Sequence, residues 1–148
     1  MRIPSIMILA VAAAALAAGT ATASGAKGSG FFKTQNGKIY CEWGTGARSF
    51  VVCGIRNGTL KPKPKNNCKG IDYIGGWLAM NARGRAKVQA CSGDAGPFAN
   101  PKQTRVLAPG KTWSGGGMSC KATASSMTCK NRSQNSFMIT TAGAYKIS

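Results

Sequence analysis

Apolar and polar residues alternate with a period of two along much of this chain. Ile39, Cys41 and Trp43 fall on one parity, Lys38, Tyr40 and Glu42 on the other. Val51, Cys53 and Ile55 repeat the pattern, with Val52 and Arg56 opposed to them. Successive strand residues point to opposite faces, so this alternation predicts two half-buried strands. A single register sets Ile39 against Ile55, Cys41 against Cys53 and Trp43 against Val51. It satisfies apolar pairing and disulfide geometry together. The turn then falls at 45–49. A second hairpin follows the same logic: Cys120 faces Cys129 and Ala122 faces Met127 across a turn at 123–126. Met118, Cys120, Ala122, Met127 and Cys129 share its apolar face. Ser119, Lys121, Thr128 and Lys130 share its polar face.

Other segments give further elements. Over 82–90, Arg83, Arg85, Lys87 and Gln89 alternate with small or apolar residues, which predicts a half-buried strand with a basic outer ribbon. Cys91 continues the polar parity, so a bulge or strand end is expected to turn it inward. Residues 71–80 (IDYIGGWLAM) are apolar without a clear period, and fit a short helix or a buried strand. Short strands are expected at Arg105–Leu107, 137–141 and 144–147, and loop at 92–104, where turn residues dominate. Lys-Pro-Lys-Pro-Lys over 61–65 should be extended and solvated, a charged crossing loop in preference to a polymer-gripping tether. The expected fold is a single all-β domain over 31–148. It is a small barrel or sandwich of six to eight strands, with room for one short helix near 71–80.

The N-terminus reads as an export leader. Arg2 precedes an uninterrupted apolar run over 6–18, and Ala21-Thr22-Ala23 supplies a small-residue cleavage site, so 1–23 reads as a signal peptide. That run is shorter than the roughly 20 residues a membrane-spanning helix needs, so no transmembrane segment is expected in the mature chain. Residues 24–30 (SGAKGSG) have little to pack and are expected to be a flexible leader. Six cysteines in a small exported chain imply a disulfide framework. The two hairpins assign Cys41–Cys53 and Cys120–Cys129, and elimination leaves Cys68–Cys91. Each bridge should contribute about 3 kcal/mol on a loop-entropy model, which matters in a chain with 20 glycines.

Charge and missing residue types narrow the chemistry. The chain has 20 Lys and Arg against 3 acids, a net charge of +17, and no histidine. Histidine-based nucleophile activation, proton shuttling and metal ligation are therefore absent. Of the acids Glu42, Asp72 and Asp94, only Asp94 sits in a loop suited to reactivity, and a turn-capping role there is favoured. The cysteine spacings do not match zinc pairs two to four residues apart. No cofactor, metal or catalytic residue is expected. The glycines at 115–117 lack the Lys-Ser/Thr of a phosphate-binding loop, and predict a bulge or close backbone approach instead.

Four segments carry a resemblance. FFKTQNGKIYC is similar to a motif F-x-T/S-P-S-G-N-I-x-C, and GGWLAMNARGRAKVQACSGD resembles W-G…G-x-A…C-x-G-D. VLAPGKTWSGGGMSCKATASSMTCKN resembles L-x-Y-G…C-x-S…G-x-T-C-x-N, and SFMITTAGAYKIS resembles a closing strand pair. In this order, with six cysteines in step, they resemble an uncharacterised family of small secreted bacterial proteins, a domain of unknown function. The resemblance runs over 31–148 and implies secretion, disulfides and a β-rich domain, with no activity attached. Two motifs depart from the pattern: Gln35-Asn36-Gly37-Lys38 replaces Pro-Ser-Gly-Asn, and Gln134-Asn135-Ser136 replaces Gly-His-Gly.

The functional expectation is a non-enzymatic, secreted or envelope-associated domain that contacts an anionic cell-envelope polymer or other polyanion. Arg83, Arg85 and Lys87 form its expected basic ribbon, extended by Lys121 and Lys130. Long-range steering by so large a charge favours such partners. The alternative is a protein-binding inhibitor or interaction module, with a hydrolytic enzyme further behind. The scattered aromatics Tyr40, Trp43, Trp77 and Trp113 form no stacking motif, so nucleic acid is not favoured as a specific partner.

Overall fold

A computed structural model describes residues 25–148. The signal-peptide reading of 1–23 lies outside the described residues, as does Ser24. Eleven strands form two sheets. β1 (Ser29–Thr34), β2 (Ile39–Gly44), β3 (Phe50–Ile55), β4 (Asp72–Asn81) and β5 (Lys87–Ser92) make an antiparallel meander. β6 (Arg105–Leu107) then lies parallel to β1 at the opposite edge, which completes the six-stranded order β5-β4-β3-β2-β1-β6. A parallel neighbour requires a crossover, and 93–104 provides it, carrying the 3-10 turn Gly96–Phe98. β7 (Thr112–Gly115), β8 (Met118–Ala122), β9 (Ser126–Asn131), β10 (Ser136–Thr140) and β11 (Tyr145–Ile147) form the second antiparallel sheet, in order along the chain. Neither sheet closes on itself among the described residues, so the sandwich is the all-β form adopted.

Both hairpin registers expected from alternation are present: Ile39 faces Ile55, Cys41 faces Cys53, Trp43 faces Val51, Cys120 faces Cys129 and Ala122 faces Met127. The inward residues of the two sheets merge into one core that contains Cys41, Cys53, Cys120 and Cys129, all fully buried. Trp113 of β7 joins the layers, its ring 5.4 Å from Phe32 and 5.1 Å from Trp43. Such aromatic pairs add about 1 kcal/mol each beyond area burial. The bridges are Cys41–Cys53, Cys68–Cys91 and Cys120–Cys129, and no cysteine is free.

The structure corrects several local expectations. Residues 72–81 are strand and not helix, with Gly75 at φ 73° and Gly76 at φ 99°. The β4–β5 register shifts between Tyr73 and Trp77. That bulge sits on β4, not on β5. Cys91 therefore stays on the parity of Lys87 and Gln89, half-buried, and meets Cys68 of the incoming loop. The strand expected over 82–90 begins only at Lys87, because 82–86 turns the chain with Gly84 at φ 87°. The leader expected over 24–30 is docked from Ala26 on. Ala26 bridges Gly115 and its N–H donates to the Ser114 carbonyl (2.8 Å), and β1 has begun by Ser29. Backbone pairing suffices to hold it without side chains. The strand count exceeds six to eight because β1, β4 and the four-residue β7 also pair.

The outer face of the six-stranded sheet is partly covered. The crossover lays Phe98 against Tyr40 (5.6 Å) and Trp77 (6.1 Å), which explains why both are buried there, Tyr40 on the parity expected to face solvent. Lys61 pairs with the β10–β11 turn through a 2.8 Å bond from its N–H to the Gly143 carbonyl. The charged loop thus links one sheet to the other.

Candidate functional site

At one end of the sandwich, turns from both sheets converge on the glycines at 115–117. Each glycine admits a neighbour that a side chain would displace. A Cβ on Gly115 would stand 2.9 Å from the Ala26 carbonyl oxygen, and one on Gly116 would stand 2.6 Å from Ser49 Oγ. One on Gly117 would collide with the Arg132 side chain. Gly116 and Gly117 have φ of 56° and 82°, a region glycine occupies without penalty. Of the bulge or close approach expected of these residues, the structure uses them for close approach.

Around this hub lies a cleft of about 890 Å³. Lys27 of the N-terminal arm, Arg48 of the β2–β3 turn, Arg83 of the β4–β5 turn and Arg132 of the β9–β10 turn line it. All four side chains are exposed, and no carboxylate lines the cleft among the described residues. Like charges gathered without a counter-ion raise the local positive potential and draw anions. Three of the four are guanidinium groups, whose planar forks pair bidentately with phosphate, sulfate or carboxylate oxygens.

Local bonds fix the walls. Thr45 and Gly28 lock the arm to the β2–β3 turn: the Gly28 N–H donates to Thr45 Oγ1 (2.8 Å) and the Thr45 N–H to the Gly28 carbonyl (2.7 Å). Asn131 joins the sheets at the site. Its Nδ2 donates to the Asn81 (3.0 Å) and Gly84 (2.7 Å) carbonyls, while its Oδ1 accepts from the Ser133 (3.0 Å) and Asn135 (3.1 Å) N–H groups. All four hydrogen-bonding positions of a buried amide are thereby filled. The consequence is functional: Asn131 fixes the turn carrying Arg83 against the turn carrying Arg132.

Of the residues expected to form a basic ribbon, only Arg83 lines this cleft. Arg85 is exposed in the same turn, and Lys87 is exposed on β5. Lys121 and Lys130 are exposed on the outer face of the second sheet, Lys130 beside a separate groove of about 290 Å³. The ribbon does not form because Gly84 reverses the chain between Arg83 and Arg85. Lys27, Arg48 and Arg132 carry no sequence signal because each lies in the arm or a turn, outside any alternating pattern, and only the tertiary fold gathers them.

The acids lie elsewhere. Asp94 is exposed and acts locally: its Oδ1 accepts from the Gly96 N–H (2.9 Å) and from Ser92 Oγ (3.1 Å), a turn-forming role. Burial on the outer face of β2, with a further contribution from the Asp94 charge, pushes the Glu42 carboxyl above its ordinary range. No group of three or more metal-ligating side chains occurs among the described residues.

No curated protein and no solved structure matches the chain. A model described as "Family of unknown function (DUF6636)" matches residues 4–145, nearly the whole chain. That span contains three of the four motifs and most of the closing one, the six cysteines and every residue of the cleft, and the chain belongs to this family of unknown function.

Proposed function

We propose that the chain is a non-enzymatic binding domain that holds anionic polymers or surfaces at the basic end of its sandwich. The observation that carries this reading is the convergence of Lys27, Arg48, Arg83 and Arg132, from both sheets and the arm, on one cleft without a carboxylate. Three disulfides, and the lack of a helix long and apolar enough to cross a membrane among the described residues, are compatible with an extracellular or periplasmic setting. The export leader read over 1–23 supports the same placement. A binding role in preference to catalysis is supported by the position of the acids, since Asp94 is spent on a turn and none of Glu42, Asp72 and Asp94 lines the cleft. Retention on a heparin resin at physiological salt tests the reading. The wild type should be retained and elute with added salt, because charge-driven binding weakens as salt rises. The Arg48→Gln/Arg83→Gln/Arg132→Gln variant should elute markedly earlier. Elution of that variant with the wild type would rule out the cleft as the site.

A further inference from the structure

Arg132 lines two concavities at once, the cleft of about 890 Å³ and the groove of about 290 Å³ beside Lys130. Its side chain lies across Gly117, where a Cβ would occupy the same space. Gly116 lines the cleft and Gly117 the groove, so the two depressions adjoin along a single turn. The groove opens toward the outer face of the second sheet. There β8 and β9 set Lys130 opposite Ser119, and Lys121 opposite Thr128. Among the described residues, carboxylates are absent from both concavities, and so are aromatic side chains.

We propose that cleft and groove form one track for a linear polymer whose backbone carries phosphate groups, a sugar- or polyol-phosphate chain without bases. This inference rests on the anion-binding reading and specifies its ligand. Successive phosphates engage the cleft cations, pass Arg132 at the junction and reach Lys130. With no aromatic face available, neither bases nor sugar rings are stacked. The chain is recognised through its charges, for which guanidinium forks are suited. Single-stranded nucleic acid would bind only through its phosphates and without base preference.

Calorimetric titration of the folded protein with tripolyphosphate, long-chain inorganic polyphosphate and heparin fragments tests the track. Tripolyphosphate should bind the cleft, and long-chain polyphosphate should bind more tightly per site, by about tenfold, because further contacts are made within one chain. Lys130→Gln should weaken long-chain binding about two- to fivefold, the range of one exposed ion pair, and lower its salt slope by about one. It should leave tripolyphosphate unchanged. If Lys130→Gln affects both probes equally or neither, the track is wrong while the cleft stands. Heparin fragments binding more tightly than polyphosphate of similar charge would overturn the phosphate-backbone assignment. If no anion binds, the anion-binding reading itself fails.

Discussion

Asn131 carries more of the site than its chemistry advertises. Its amide bridges the Asn81 and Gly84 carbonyls of one sheet to the Ser133 and Asn135 N–H groups beyond the other. Truncation leaves buried groups unpaired, at a cost of about 1–3 kcal/mol for each such group. Asn131→Ala should therefore lower stability by about 2–4 kcal/mol in urea unfolding. It should also weaken polyanion binding although no charge is lost. A stability loss with unchanged affinity would remove Asn131 from the site. Glu42 offers a pH signature. Its carboxyl titrates higher in the folded chain than its ordinary 4.5, through burial and then Asp94. The folded state thus keeps a proton that the unfolded state has released, so this group's contribution to stability falls as pH rises through the window just above 4.5. Glu42→Gln should flatten that slope in thermal melts across the window. An unchanged slope would contradict the assignment. Neither role was legible in the sequence: the carbonyls that Asn131 binds lie 47 and 50 residues away, and the burial and the Asp94 charge that act on Glu42 are tertiary effects that alternation does not reveal.

At the scale of elements, legibility followed the range of the interactions. The two cysteine hairpins were readable because their pairing is local and two constraints, apolar facing and sulfur geometry, select one register. β4 was not, because paired glycines bulge the strand and send Trp77 to the outer face, where it meets Phe98. The basic ribbon failed for a related reason, a glycine turn within an alternating pattern. Removing either hairpin bridge by paired Cys→Ala substitution should cost about 3 kcal/mol on the loop-entropy model. The Cys41–Cys53 variant should lose slightly more, since its bridge closes the longer loop, 12 residues against 9, while both pairs of sulfurs are equally buried. Chemical denaturation measures both, and a loss well under 1 kcal/mol would show that the hairpins hold without their bridges. Gly117→Ala tests the turn that seats Arg132. Left-handed backbone strain should cost about 1–2 kcal/mol, and the new Cβ should push Arg132 aside and weaken binding of tripolyphosphate and long-chain polyphosphate alike. Strain without any change in affinity would show that Arg132 does not need this turn.

For the molecule as a whole, the composition announced a partner of opposite charge but not where it would bind. Twenty cations against three acids attract polyanions from any direction. The fold adds a location: turns of both sheets and the N-terminal arm bring four of those cations to one end, while Lys63, Lys65 and Lys69 remain exposed on the connection between β3 and β4. The central claim is that position, and not net charge, governs binding. The most direct test compares two variants with equal charge loss, Arg48→Gln/Arg83→Gln/Arg132→Gln and Lys63→Gln/Lys65→Gln/Lys69→Gln, by calorimetry with long-chain polyphosphate at physiological salt. The cleft variant should lose about ten- to a hundredfold in affinity, from three contacts each worth about 0.5–1 kcal/mol. The loop variant should stay within about twofold of the wild type, as expected for charges screened beyond a Debye length. Equal losses in the two variants would contradict the account.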